Sequence, residues 1–326
     1  MSLEVRFARF EEIPSIMRFI DMYWRKNHIL SRDRKLFEWQ YVNNNKVSIV
    51  LGVNEEGIQG MLGYVPYRNG DDKDIALALW KANNTEPFLG IKLLVFLQKN
   101  EKYRTMFCNG INMATTKQIY EAMGLQTGCL KQWYRLNKKN HYKIGRINND
   151  KVPLVKKDLD LVRIKSVEQM DRLFDFSKED KKSVPYKNRE YVIKRYSEHP
   201  SYCYEVFGVS NKENIDGLLV LRIQEYGEAK IFRFVDFIGD YELISRITYA
   251  LDELMSVENI EYVDMYETGL DETMLMNGGW LLVADSGNII PNYFAPYEER
   301  NIDIYYCSGD PNIVIFRGDG DQDRPS

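Results

Sequence analysis

LGVNEEGIQGML (residues 51–62) and FGVSNKENIDGLL (residues 207–219) are two copies of one pattern. A Gly-Val pair ends one apolar run, a polar turn follows, and an isoleucine, a glycine and a leucine at alternate positions open the next run. These residues are Gly52, Val53, Ile58, Gly60 and Leu62 in the first copy, and Gly208, Val209, Ile215, Gly217 and Leu219 in the second, whose turn is one residue longer. Period-two runs broken by Asn and Gly are the signature of hairpins. Working outward, twenty residues separate Gly60 from Trp80 and, again, Gly217 from Phe237. A glycine followed by a bulky apolar residue closes each copy, Gly124-Leu125 and Gly279-Trp280. The copies part at one position: Tyr120 lies four residues before Gly124, and the residue aligned with it is Leu275. One half is therefore expected to work and the other to support it.

Around this repeat the order of elements agrees in both halves. Leu3 to Phe10 alternates like a strand, and Glu11 to Lys26 places Ile13, Ile16, Met17, Ile20 and Trp24 on one helical face. A second helix over Arg34 to Asn44 precedes a meander of Val47 to Val53, Ile58 to Tyr67 and Asp74 to Trp80. Gly90 to Asn100 is apolar nearly all round and reads as a helix packed deep against the sheet. Arg104 to Gly110 reads as a strand, Thr115 to Met123 as a short helix stopped by Gly124, and Leu130 to Leu136 as a strand that ends the first half. Asn137 to Lys157, rich in Lys and Asn, is the linker candidate, after which the order restarts. The expectation is an α+β chain of two tandem domains, 1–145 and 146–326, each a mixed, mostly antiparallel sheet flanked by helices.

A length of 326 residues fits two cores, and 44 % hydrophobic residues suffice to fill them. The net charge of −4 gives no basic surplus, so nucleic acid is not an expected partner. No apolar run approaches the roughly 20 residues that span a bilayer. The start, MSLEVRFARFEEI, alternates charge and hydrophobe, unlike a signal peptide, so the chain is read as cytoplasmic. Cys108, Cys129, Cys203 and Cys307 have no metal-type spacing and are expected as reduced thiols. His28, His141 and His199 are scattered, and no metal site is encoded. The tail from Gly318 to Pro325 opens like a calcium loop but lacks its later glycine and glutamate.

Two elements carry chemistry. The first is Thr85-Glu86-Pro87-Phe88-Leu89-Gly90 running into Ile91-Lys92, a helix N-terminus after a strand end, where unpaired N–H groups favour an anion. The second is Asn112-Met113-Ala114 followed by Tyr120-Glu121-Ala122-Met123-Gly124-Leu125. Together they resemble the GCN5-related N-acetyltransferase (GNAT) superfamily. Its pyrophosphate loop, Q/R-x-x-G-x-G/A, is matched at Gly90, with Phe88 in place of the first glycine and Thr85 in place of Gln or Arg. Its N-x-x-A and Y-x-x-x-G-F signature is matched at Asn112, Tyr120 and Gly124, with Ala114 one position early and Leu125 for Phe. In the Trp24, His28 and Trp39-Gln40-Tyr41 region the chain also resembles acetyltransferase-like proteins of bacterial surface-polysaccharide gene clusters.

The resemblance implies that the first half binds acetyl-CoA as co-substrate through Trp80, Lys81, Phe88, Leu89, Gly90, Ile91, Asn112 and Tyr120, and that the second half has no cofactor site of its own. It implies that Tyr120 protonates the leaving thiolate, which suits a phenol of pKa about 10 facing a thiol of about 8.5. Backbone N–H groups near Trp80 and Lys81 would hold the oxyanion. Trp24, His28, Asp33, Trp39, Gln40 and Tyr41 would border a small-molecule acceptor, an amine such as an amino sugar. His28, with a reference pKa of about 6.5, is the candidate base, with Glu86 and Asp236 as rivals. The expected activity is N-acetyl transfer. Two other readings stay open: a non-catalytic binding protein of the same fold, and an aminoacyl transferase of the peptidoglycan cross-bridge type.

Overall fold

The computed structural model describes residues 3–83, 86–179, 181–211 and 214–325. The first half starts with β1 (Glu4–Phe7) and helices α1 (Ile13–Phe19), α2 (Ile29–Arg32) and α3 (Arg34–Tyr41). The meander β2 (Ile49–Asn54), β3 (Gly57–Pro66) and β4 (Asp74–Ala82) follows, then α4 (Leu89–Asn100), β5 (Thr105–Asn109), α5 (Lys117–Ala122) and β6 (Gln126–Cys129). Next comes β7 (Lys131–Leu136), and a coil through the linker candidate leads to β8 (Asp160–Ile164), α6 (Val167–Leu173) and α7 (Arg189–Val192). The second meander is β9 (Glu205–Ser210), β10 (Ile215–Tyr226) and β11 (Ala229–Gly239), followed by α8 (Thr248–Val257) and β12 (Tyr262–Thr268). The chain closes with α9 (Glu272–Asn277), β13 (Leu281–Leu282), β14 (Tyr305–Ser308) and β15 (Ile315–Phe316).

Two mixed sheets result. The first runs β1-β2-β3-β4-β5-β14-β6, and the second β8-β9-β10-β11-β12-β7-β13 with β15 also on β12. Among the described residues only β4–β5 and β11–β12 are parallel pairs. The α+β expectation of two tandem units is met, with one correction: Leu130 to Leu136 does not end the first sheet. After β6 the chain passes through Leu130 into the second sheet, where Lys131–Leu136 pairs with Glu267–Tyr262. Its place beside β5 is taken by β14, from near the chain's end, with Cys307 opposite Cys108. The physical reason is burial. Five of the six residues of β7 are buried, including Trp133 and Arg135, so it needs a partner on both edges, and β12 and β13 supply them. The exchange joins each half to the other through its sheet.

The repeated glycines set how closely the buried helix approaches. A Cβ on Gly52 would lie 2.6 Å from Leu89 Cδ1, and one on Gly60 would lie 2.8 Å from Leu89 Cδ2 and 3.2 Å from Leu93 Cδ1. All three distances are below ordinary van der Waals contact, so only glycine lets α4 lie against β2 and β3. Gly217 plays the same part toward Phe237 and Leu243. Helix α4 is less enclosed than its composition suggests, because Leu89, Leu93, Leu94 and Leu97 face the sheet while Ile91 is exposed. A further core lies between the halves and combines Tyr67, Ala76 and Phe107 with Val192, Tyr196, Val220, Val235 and Ile315.

Candidate functional site

The site follows from where two parallel strands stop pairing. β4 and β5 are in register from Asp74/Thr105 to Leu77/Cys108; beyond that point β4 runs on to Ala82 without β5. Just past the parting is a bulge opposite Leu62, where Leu79 takes a left-handed φ of 50°. That conformation is rare for a leucine and, buried as Leu79 is, is held by the packing around it. The bulge turns Trp80 into the gap. The N-terminus of α4 lies beside it, since a Cβ on Gly90 would sit 3.3 Å from Trp80 Nε1. Phe88, standing where the resemblance has glycine, takes the left-handed conformation glycine favours (φ 58°) and is exposed. By helix geometry the first N–H groups of α4 have no partner within the helix. Thr85 lies outside the described residues.

Tyr120, on α5, closes the gap from the other side. Its ring centroid is 5.3 Å from that of Trp80, and its hydroxyl lies near the Cys108 thiol, on the last residue of β5 that pairs with β4. Burial first, then the nearby Cys108, holds the phenol far above its ordinary pKa, so it is a proton carrier at neutral pH. Cys108 is pushed up to about 12 by burial, which removes it as a nucleophile. Asn112 lies outside this group. Its Oδ1 accepts from Ala114 N and its carbonyl from Thr116 N, so its polar groups build the turn before α5.

Two comparisons with known proteins bear on this geometry. Neither a family model nor a curated protein matches the chain in sequence. Among solved structures, a GCN5-related N-acetyltransferase from Anabaena variabilis is similar with a TM-score of 0.58 at 12 % identity, over 94 % of this chain and 72 % of that one. A conserved protein of unknown function from Enterococcus faecalis gives 0.56 at 9 %, with the same two coverages. The chain has the tandem GNAT fold. At these identities the likeness concerns the fold.

The second GNAT unit repeats the parting and then fills it. β11 pairs with β12 only from Phe232/Val263 to Phe234/Met265. Beyond, β15 pairs with Glu267 and Thr268 of β12, and Gly318 N donates to Val235 O of β11 at 2.7 Å. Phe316 is fully buried there, with ring centroids 5.7 Å from Phe234 and 5.8 Å from Tyr241. The helix that corresponds to α4 begins as a 3-10 turn (Tyr241–Ser245) capped by the Asp240 carboxylate, which places negative charge where an anion would bind.

From that gap the tail crosses to the first unit. Asp319 accepts from Tyr67 Oη at 2.7 Å, and Gly320 N donates to the same hydroxyl. Asn109 Nδ2 donates to Phe316 O at 3.2 Å, and the Gln322 side chain lies against Gly110. Arg324 then lies over the Trp24 ring. Every tail carboxylate has a cation: Asp319 pairs with Lys187, Asp321 with Arg324 and Asp323 with Arg222. Among the described residues no cluster suited to a metal is present, and the calcium-like spacing serves these ion pairs. Sequence reasoning missed this tail as a site element. Its one signal was the three acids at alternate positions.

His28 caps α2 through Nδ1, which accepts from Leu30 N at 3.2 Å, and its ring stacks on Trp24. Burial, and then Arg324, Arg25 and Arg32, pull its pKa down to about 4. The neutral ring with Nδ1 occupied offers an Nε2–H donor, which is not a base at neutral pH. Asp33 caps α3. Of the rival bases, Asp236 is bound to Lys187 at 2.5 Å and to the Tyr196 hydroxyl, deep in the second unit; burial raises it to about 6 against the pull of Lys187. Among the residues expected to bind the cofactor, Trp80, Leu89, Gly90 and Tyr120 come together around the gap, Lys81 follows on β4, Phe88 and Ile91 flank the helix start, and Asn112 stands apart.

Proposed function

We propose that the first half binds acetyl-CoA and transfers its acetyl group to the amine of a small-molecule acceptor, an amino sugar being the candidate class. The reading is carried by the parting of β4 and β5 at Leu77/Cys108 beside the start of α4. A pantetheine arm laid in that gap would continue the sheet, accepting and donating along the free edge of β4. Trp80, Lys81, Phe88, Leu89, Gly90 and Ile91 would line its path. The unpaired N–H groups of α4 would hold the pyrophosphate, and N–H groups at the Leu79–Trp80 bulge would face the developing oxyanion. Tyr120, protonated and at the end of the gap, would return a proton to the leaving thiolate. Asn112 would support this by fixing the turn that aims α5. His28 would act as a wall and donor on the acceptor side, with the amine losing its proton through water.

The second half, its own gap filled by Phe316, would cover the acceptor side. Calorimetric titration with acetyl-CoA tests the reading. Saturable heat is expected, and no heat at millimolar ligand overturns it. One observation favours a second reading, a non-catalytic binding protein: the Trp80 indole lies across the start of α4, where it narrows the approach to the helix N-terminus. Absence of acetyl-CoA binding at millimolar ligand by the folded chain would select that reading.

A further inference from the structure

We infer that a cleft between the two halves, built on Arg195, is a binding site for the carboxylate group of a small ligand. Among the described residues five arginines are buried, and they form an internal control. Arg135 and Arg222 each turn the Nε/Nη2 edge to an aspartate, Asp252 and Asp323, with N–O distances between 2.6 and 3.1 Å. Arg233 and Arg317 share Asp264. Arg195 is only 4 % exposed and has no carboxylate. Its Nη1 donates to the neutral Gln40 Oε1 at 3.2 Å, while Nε and Nη2, the fork that binds aspartate in Arg135 and Arg222, have no protein acceptor. A buried charge left so is costly, and the Trp39 ring at 5.3 Å offsets part of that cost.

Arg195 lies at the wall of a cleft, with Nε and Nη2 on the buried side of the guanidinium. Trp39, Gln40, Asn43, Tyr191, Lys194 and Arg195 line it, with room of about 30 Å³, more than the roughly 10–15 Å³ one water needs. Gln40 Nε2, on the amide that Arg195 holds, is a third donor without a protein acceptor. Lys194 adds a second positive charge, and the tail acids Asp319, Asp321 and Asp323 are committed to Lys187, Arg324 and Arg222. Two parallel N–H donors on a planar cation, with an amide N–H alongside, match a carboxylate edge-on. The site deepens the proposed function, and rests on it in one respect: the acceptor would carry a carboxylate as well as its amine. Binding of the carboxylate itself does not depend on acyl transfer.

The test is thermal unfolding of the full chain against sodium acetate, the smallest carboxylate, with sodium chloride at equal ionic strength as control and inorganic phosphate as the competing anion. A saturating rise in Tm with acetate is expected, half-maximal in the millimolar range for so small a ligand. Arg195→Lys, which keeps the charge and loses the fork, should weaken it about tenfold, and Arg195→Met should abolish it. Gln40→Leu should weaken it severalfold, and decides the matter if either arginine variant fails to fold. A rise that does not depend on Arg195 overturns the inference, as do no rise beyond chloride and a stronger response to phosphate. Acetyl-CoA calorimetry on the same proteins reads the proposed function separately, because Arg195 is not among the residues lining the β4–β5 gap.

Discussion

The two GNAT units solve one geometric problem in opposite ways. In each, a parallel strand pair stops after three or four residues and a helix start lies beside the opening. The first unit leaves the opening lined by Trp80, Tyr120 and the start of α4. The second inserts its own strand, seats Phe316 against Phe234 and Tyr241 and places Asp240 at the helix start. A parted sheet edge must be satisfied by something. The difference lies in whether the chain supplies that partner itself, which is why the duplicated fold need not mean a duplicated activity.

The largest expected effect breaks the filled cleft. Phe316→Ala should cost about 3–5 kcal/mol in urea unfolding of the full chain, and a loss below about 1 kcal/mol would mean that the insertion is not what holds the second unit together. Next is the open cleft. Tyr120→Phe should lower turnover by roughly 10²-fold while acetyl-CoA still binds, and unchanged turnover removes Tyr120 as the acid. Gly60→Ala puts a Cβ into Leu89 and should cost about 1–3 kcal/mol, read by the same unfolding assay together with weakened acetyl-CoA heat as α4 is pushed outward.

The smallest effect concerns pH. Glu267, at the filled cleft, accepts from Trp133 Nε1 at 2.7 Å, and burial raises its pKa from 4.5 to about 7. A carboxyl raised in the folded state favours folding when protonated, so stability should fall as pH rises from 4.5 to about 7. Glu267→Gln should flatten that slope in denaturation curves collected across the window.

Much of the fold was legible because its signals are local. Gly52 and Gly60 mark the close approach of α4, the Asn and Gly turns mark the hairpins, and Gly124 takes the left-handed φ of 82° expected of a helix stop. The place of Tyr120 on the short helix before that glycine was legible as well. The strand exchange was not: the pairing of Cys307 with Cys108 spans almost two hundred residues and leaves no periodicity to read. His28 looked like a base in a turn, and only its capping bond and the cations around it show otherwise. Arg195 carried no motif. Its meaning comes from the absence of a protein carboxylate beside it, which a linear sequence does not display.

The exchanged strands also set a timetable. β5, the inner wall of the cleft, has β14 as its outer neighbour, so while the chain is being made this strand stays an unpaired edge until Tyr305–Ser308 emerge. The first sheet therefore closes only after most strands of the second have been made, and β15 then completes the second. A chain truncated before Tyr305 would expose Phe107 and Cys108 along a free edge, the kind of template on which other chains add strands.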